Sequence, residues 1–187
     1  MKLSILIPSL ISRASELNNL REKITRQCAE NNLYDDVEII SSVDNGELTI
    51  GEKRNELLQR AKGEYVCYID DDDDISNEYL KLIFNKIRPD CCSLTGVITW
   101  DGERSEIFEH SIKYREYKTN ETGIPKYERY PNHLNVIRTD IAKQFKFPEI
   151  NHGEDTDFAT QIFKSGLLKT ESVISEILYH YKFKQNK

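Results

Sequence analysis

The chain has 187 residues, 38% hydrophobic and 10% aromatic, enough to bury one core and too few for two ordinary domains. A formal net charge of −6, with no Lys/Arg block of five or more, excludes the electrostatic footprint of a non-specific nucleic-acid binder. Much of the acidity is local, in the run Asp70-Asp71-Asp72-Asp73-Asp74, which points to a cation site and away from an acidic coat.

The opening apolar run, Leu3 to Pro8, reads as a strand buried on both faces. It is too short for a signal or membrane segment, so the expectation is a cytoplasmic protein without a membrane span. Residues 13 to 31 space Leu17, Leu20, Ile24 and Cys28 by three or four, which predicts an amphipathic helix. Asp36 to Val43 is the second strand, closed by the turn signal Asp44-Asn45-Gly46. A helix from Gly51 to Ala61 follows, with Leu57, Leu58 and Ala61 inward and Lys62-Gly63 as its stop.

The third strand, Tyr65 to Ile69, runs straight into the aspartates. Alternating strand and helix predicts a mostly parallel sheet flanked by helices, and in such sheets ligands gather beyond the carboxyl ends of the strands. Ser76 is the predicted N-cap of a helix that buries Tyr79, Leu80, Ile83, Phe84 and Ile87 and ends at Pro89.

The second half is less regular. Cys91 to Trp100 is expected to be one strand, and Phe108 to Tyr130, rich in tyrosine and charge, a polar hairpin or flap. A short strand near Leu134 to Ile137, a helix through Ile141 and Phe145, and a loop with Pro148 come next. A helix begins near Gly153-Glu154-Asp155, buries Phe158, Ile162 and Phe163, and stops at Ser165-Gly166. A last strand, Ser172 to Tyr181, completes a single domain over 1–187, with 1–100 as one half and 101–187 as the other. The cysteines Cys28, Cys67, Cys91 and Cys92 lack CxxC spacing and adjacent histidines, so they read as buried thiols.

Carboxylates crowded at the end of a buried strand repel one another, and a hard divalent cation with oxygen ligands relieves that repulsion. An EF-hand is excluded, because its sixth position would be Ile75 and its twelfth Lys81. No glycine-rich run ending in Lys-Ser/Thr occurs, so phosphate binding would fall to a metal and isolated cations.

The runs Gly51-Glu52-Lys53-Arg54-Asn55, Ala61-Lys62-Gly63-Glu64-Tyr65 and Ile69-Asp70-Asp71-Asp72-Asp73, with Ser76 and Tyr79-Leu80, resemble the donor half of family 2 glycosyltransferases of the GT-A fold. Ser4-Ile5-Leu6-Ile7-Pro8-Ser9 and Val43-Asp44-Asn45-Gly46 resemble the same family's first two loops. Order and spacing agree over most of the first ninety residues.

The resemblance implies a single-domain α/β enzyme that uses Mn²⁺ or Mg²⁺ to move a sugar from a nucleoside-diphosphate sugar, UDP-linked by preference, to a glycan or other hydroxyl acceptor. Asp70-Asp71-Asp72 matches its Asp-x-Asp motif, with Asp72 as direct metal ligand and Asp70 on the donor ribose or a metal-bound water. Pro8, Ser9 and Asp44 correspond to loops that hold base and ribose, and Arg54 to a basic residue near the nucleotide. Asp44 reads equally as turn chemistry, and Arg54 as the partner of a helix-face carboxylate.

His152-Gly153-Glu154-Asp155-Thr156-Asp157 resembles the Glu-Asp pair that supplies the base of inverting members, with Asp155 as base and Glu154 orienting the acceptor. Acidic residues also suit a first helical turn without any catalytic role. His180 matches a late metal-binding histidine of many relatives, or is a structural strand residue. His133, His152 and Trp100 are candidates for the acceptor side, and Tyr114, Tyr117, Tyr127 and Tyr130 either stack on a sugar or pack. The chain is short after His180, so a second subunit is a candidate to complete the acceptor pocket. Two rivals are weighed: a nucleotidyltransferase, which needs a glycine-rich loop that Ser9-Leu10-Ile11-Ser12-Arg13 lacks, and a non-catalytic nucleotide-sugar-binding domain.

Overall fold

The structure, a computed structural model, describes residues 1–184. Strand β1 (Leu3–Leu10) leads through a 3₁₀ turn at Ile11–Arg13 into helix α1 (Ala14–Asn31), and β2 (Val37–Asp44) follows. Helix α2 (Ile50–Arg60) starts at a full capping box: Thr49 accepts from the Glu52 amide, and the Glu52 carboxylate accepts from the Thr49 amide. Then come β3 (Tyr65–Tyr68), β4 (Asp74–Ile75) and α3 (Tyr79–Lys86). The second half runs through β5 (Cys91–Cys92), β6 (Leu94–Trp100), β7 (Arg104–His110), β8 (Lys118–Thr119) and β9 (Tyr127–Arg129). Strand β10 (Ile137–Arg138), α4 (Thr139–Ala142), α5 (Glu154–Ser165), β11 (Glu171–Ser172) and β12 (Ile177–Phe183) finish it.

The central sheet has the order β11-β5-β10-β3-β1-β2. Its β1–β2, β1–β3 and β5–β11 ladders are parallel, and only β10 runs against its neighbours. Side chains alternate along β1, so Leu3, Ile5 and Ile7 pack on Leu17, Leu20, Ile24 and Ile83 of α1 and α3. Leu6, on the opposite face, joins Leu57, Leu58, Phe158 and Ile162 of α2 and α5. The sheet is thus a parallel α/β core covered on both sides, as the alternating pattern predicts.

The second half departs from expectation. The run Cys91 to Trp100 is not one strand: it breaks at Ser93, whose hydroxyl donates to the Ile174 carbonyl at 3.4 Å. Cys91–Cys92 stays in the central sheet, and Leu94–Trp100 enters a second sheet of order β4-β12-β6-β7-β9-β8. The last strand begins at Ile177, not Ser172, and belongs to that second sheet, pairing parallel to β6 and antiparallel to β4. The Phe108 to Tyr130 segment is β7 followed by the β8–β9 hairpin. Ser76 does not cap α3; its hydroxyl accepts from the Glu78 amide, and Glu78 stands at the N-cap without a side-chain bond. All four cysteines are buried free thiols, as expected.

Candidate active site

Parallel register brings the carboxyl ends of β1, β2 and β3 to one edge, where Leu10 pairs with Asp44 and Leu6 with Tyr68. Above that edge lies a cleft of about 970 Å³. Its lining includes Pro8, Ser9 and Asp70–Asp72 and, from the second sheet, Trp100, Tyr127 and Tyr181. Glu154 and Asp155, at the start of α5, line it too.

The aspartates do not share one cage: Asp71 and Asp72 share Arg13, and the others meet separate partners. Asp71 is buried, accepts from the Ser9 hydroxyl at 2.7 Å, and pairs with Arg13 at 2.9 Å. Arg13 also lies 3.3 Å from Asp72. Asp73 turns away from the cleft, where Tyr179 donates to it at 2.8 Å and the Lys182 amide at 2.8 Å. Asp74 pairs with Lys23 at 2.7 Å. The mutual repulsion expected of five carboxylates is therefore relieved mainly by protein donors, and only Asp70, Asp71 and Asp72 face the cleft.

Asp70 is the junction of the site. Arg54 of α2, only 5% exposed at its side chain, donates to it at 3.0 Å and pairs through its other terminal nitrogen with Glu154. Burial by itself would raise the Asp70 carboxyl; the Arg54 guanidinium, then His133 beside it, outweigh that and hold it well below the usual carboxylate range. The guanidinium is itself deeply buried, and the charges of Asp70 and Glu154 keep it protonated against the cost of burial. Both terminal nitrogens of Arg54 are thus engaged by carboxylates off its own helix, one 16 and the other 100 residues away, and not by a helix-face neighbour.

Glycine permits one close approach and one left-handed turn that this bridge uses. A Cβ on Gly51 would stand 1.9 Å from the Pro148 carbonyl oxygen, so only glycine lets α2 lie against the loop that leads to α5. Gly153 has φ +86°, a left-handed turn from which α5 starts. Glu154, Asp155 and Asp157 then occupy the first turn, where the helix dipole favours negative charge.

The other sequence candidates divide. Pro8, Ser9, Asp155, His133, His152 and Trp100 line the cleft. Asp44 does not: it pairs with Lys53 and accepts from the Gly46 and Leu48 amides at 3.0 and 2.8 Å, which is turn chemistry. Glu154 also lines the cleft, but it is buried and one of its carboxylate oxygens pairs with Arg54. His180 points away from the cleft, because side chains alternate along β12: Tyr181 and Phe183 face the cleft, and His180 lies opposite Asp74 in the β4 ladder. Tyr117 and Tyr127 line the cleft, whereas Tyr130 stacks on Phe163 at 4.5 Å and Tyr114 donates to Glu109.

Residues that the sequence reading did not single out also shape the site. Lys53 donates to the Ser9 carbonyl at 2.7 Å and so ties α2 to the end of β1. Tyr179 accepts from the Asp70 amide at 3.2 Å while donating to Asp73, which fixes the aspartate loop to the second sheet. Lys53 sits within the Gly51–Asn55 run; Tyr179 carried no local signal beyond the neighbouring His180.

Among the described residues, no three His, Cys, Asp or Glu side chains form a ready-made metal cage. A hard cation shared with a diphosphate takes one or two protein carboxylates and completes its octahedron with phosphate oxygens and water. The carboxylates of Asp70 and Asp72 at the cleft fit that kind of ion and not an all-protein site. Again among the described residues, no helix is long and apolar enough to cross a membrane.

The family model described as "Glycosyl transferase family 2" matches residues 14–147. No curated protein matches the chain. Among solved structures, S. aureus TarS 1-349 is similar with a TM-score of 0.60 and 22% identity, over 97% of this chain and 60% of that one. S. aureus TarS 1-349 in complex with UDP-GlcNAc gives 0.60 and 18%, over 100% and 60%. The catalytic domain of Drosophila beta1,4galactosyltransferase 7 in complex with xylobiose gives 0.57 and 15%, over 95% and 66%. At such identities the likeness is one of fold, and the chain spans only about 60% of TarS 1-349. Since the family model takes in well over half of the sequence and these folds align with nearly all of it, the chain belongs to glycosyl transferase family 2 and has the GT-A fold.

Proposed function

We propose that the cleft transfers a sugar, with inversion, from a UDP-sugar to a hydroxyl group of a glycan or similar acceptor, assisted by Mn²⁺ or Mg²⁺. One observation supports this above others: two acidic motifs about eighty residues apart, Asp70–Asp72 and Glu154–Asp155, converge on one cleft and are joined through Arg54. The UDP-GlcNAc and UDP complexes of TarS favour uridine as the base.

In this reading Asp72 binds the metal and Asp70 orients the donor through its ribose or a metal-bound water. The metal, when bound, offsets the charge that grows on the departing diphosphate. Asp155 accepts the proton of the acceptor hydroxyl as the oxygen bonds to the anomeric carbon and the bond from that carbon to the diphosphate breaks. Asp155 is half-buried at the cleft and not ion-paired like Glu154, which leaves its carboxylate available for that proton.

The test is release of UDP from a panel of UDP-sugars with Mn²⁺ and candidate saccharide acceptors. Release should require the divalent ion, and Asp155→Asn should lower kcat about 10²- to 10⁴-fold with UDP affinity changed less than about twofold. The anomeric configuration of the product, read by NMR, tests inversion. Donor binding without turnover under every acceptor would instead favour the non-catalytic binding domain.

A further inference from the structure

His133 is 5% exposed and lines the cleft, yet neither ring nitrogen has a hydrogen-bond partner among the described residues. The Asp70 carboxylate stands 3.9 Å from Nε2, beyond hydrogen-bond range. Buried polar atoms are nearly always bonded, and leaving one bare is costly, so an orphan ring in a native site requires a reason.

The loop around it is, by contrast, fully bonded. The Asn132 carboxamide oxygen accepts from the Leu134 amide at 3.0 Å, and the Asn132 amide donates to Asn135 at 3.1 Å. Asn135 in turn donates to the Cys92 carbonyl at 3.0 Å and meets His110 at 3.2 Å. The His133 carbonyl accepts from the Tyr68 amide at 2.9 Å, which anchors the loop to the end of β3. The ring packs edge-on to Tyr68 and Phe147, at 5.9 and 6.4 Å. Backbone and apolar faces are thus held rigidly while both polar edges stay unmatched by protein, the arrangement of a preorganised ligand contact.

We propose that His133 hydrogen-bonds a hydroxyl of the sugar being transferred, and so helps to determine which sugar the cleft accepts. This rests on the reading above, in which Asp70 faces the donor: His133 shares the Phe147 ring with Arg54, the side chain that links Asp70 to Glu154, so a group there would meet the sugar and not the base. A sugar hydroxyl both donates and accepts, so it suits either tautomer of the imidazole.

The test compares wild type, His133→Gln and His133→Phe by calorimetry with Mn²⁺, using UDP, UDP-glucose, UDP-galactose, UDP-GlcNAc and deoxy analogues of whichever sugar the wild type prefers. His133→Phe should lower the affinity for the preferred UDP-sugar about three- to tenfold more than the affinity for UDP, the size of one hydrogen bond to a neutral hydroxyl. One deoxy analogue should lose as much with wild type and nothing further with His133→Phe, and His133→Gln should restore part of the loss. His133→Phe should also melt no lower than wild type, because it removes an orphaned polar ring; a structural histidine would show the opposite. Equal losses for UDP and UDP-sugar, or coupling to no sugar hydroxyl, overturn the proposal while leaving the transfer reaction standing. Wild type that binds no UDP-sugar overturns both.

Discussion

Removing the Arg54 guanidinium would strand two carboxylates, Asp70 and Glu154, that are bonded to the same side chain inside the site. Lysine keeps the charge but offers one nitrogen where two are used, so it cannot span both partners. Arg54→Lys should therefore cost about 2–4 kcal/mol in a urea titration, the scale of a broken buried pair. An unchanged midpoint would mean the bridge contributes nothing. The sequence marked Arg54 by its place in the Gly51–Asn55 run, but its partner Glu154 lies 100 residues away and no local pattern could connect them. His110 permits a pH test at the same scale. Burial pushes its imidazole from 6.5 down to about 3, and its Nδ1 meets Asn135, so the native ring stays neutral where the unfolded one takes a proton. The unfolded state then binds more protons, and stability should fall as pH drops from 6.5 toward about 3. The slope from this residue is at most about 1.4 kcal/mol per pH unit. His110→Asn, which keeps a donor toward Asn135, should flatten that slope in denaturant titrations across the window; an identical slope would rule His110 out as its source.

At the scale of elements, α2 and the loop before α5 meet where only a glycine fits. Gly51→Ala would drive its Cβ into the Pro148 carbonyl and weaken the 3.2 Å bond from the Gly51 amide to Ile150. The expected loss is about 1–3 kcal/mol, typical of overpacking against backbone. The displaced loop should also lower turnover, since it leads into the turn that starts α5; a variant with wild-type melting temperature and rate would sink this account. The elements legible in the sequence were those with strong periodicity: β1, α1, α2, β3 and α5 fall within a residue or two of their predicted bounds. The second sheet was not legible, because β4, β8 and β9 are two or three residues long and leave no alternation to read. Which of the two readings of His180 holds was not legible for a different reason: which face of β12 meets the cleft depends on pairing with β4 and β6, and a shift of one residue reverses it.

For the whole molecule, the sheet order decides whether residues 1–100 and 101–187 are separable halves. The central sheet runs β11-β5-β10-β3-β1-β2, so β10 and β11, from the second half, sit on either side of β5 from the first. Without β10, β5 has no link to β3, and the face of Val66 and Tyr68 loses Ile137, Phe147, Phe158 and Ile162, which complete its core cluster. The second sheet interleaves in the same way, with β12 between β4 and β6. A fragment ending at residue 100 would keep the aspartate run Asp70–Asp74 yet expose most of that apolar face, and the burial lost far exceeds the few kcal/mol of net stability typical of a domain. It should therefore show no cooperative melt and no dispersed amide spectrum by NMR, while the full chain unfolds in a single transition that UDP and Mn²⁺ together shift upward. A fragment that melts cooperatively and binds UDP would make the donor half a folding unit of its own, and the Arg54 and Tyr179 bridges would then join two separately stable bodies instead of closing one core.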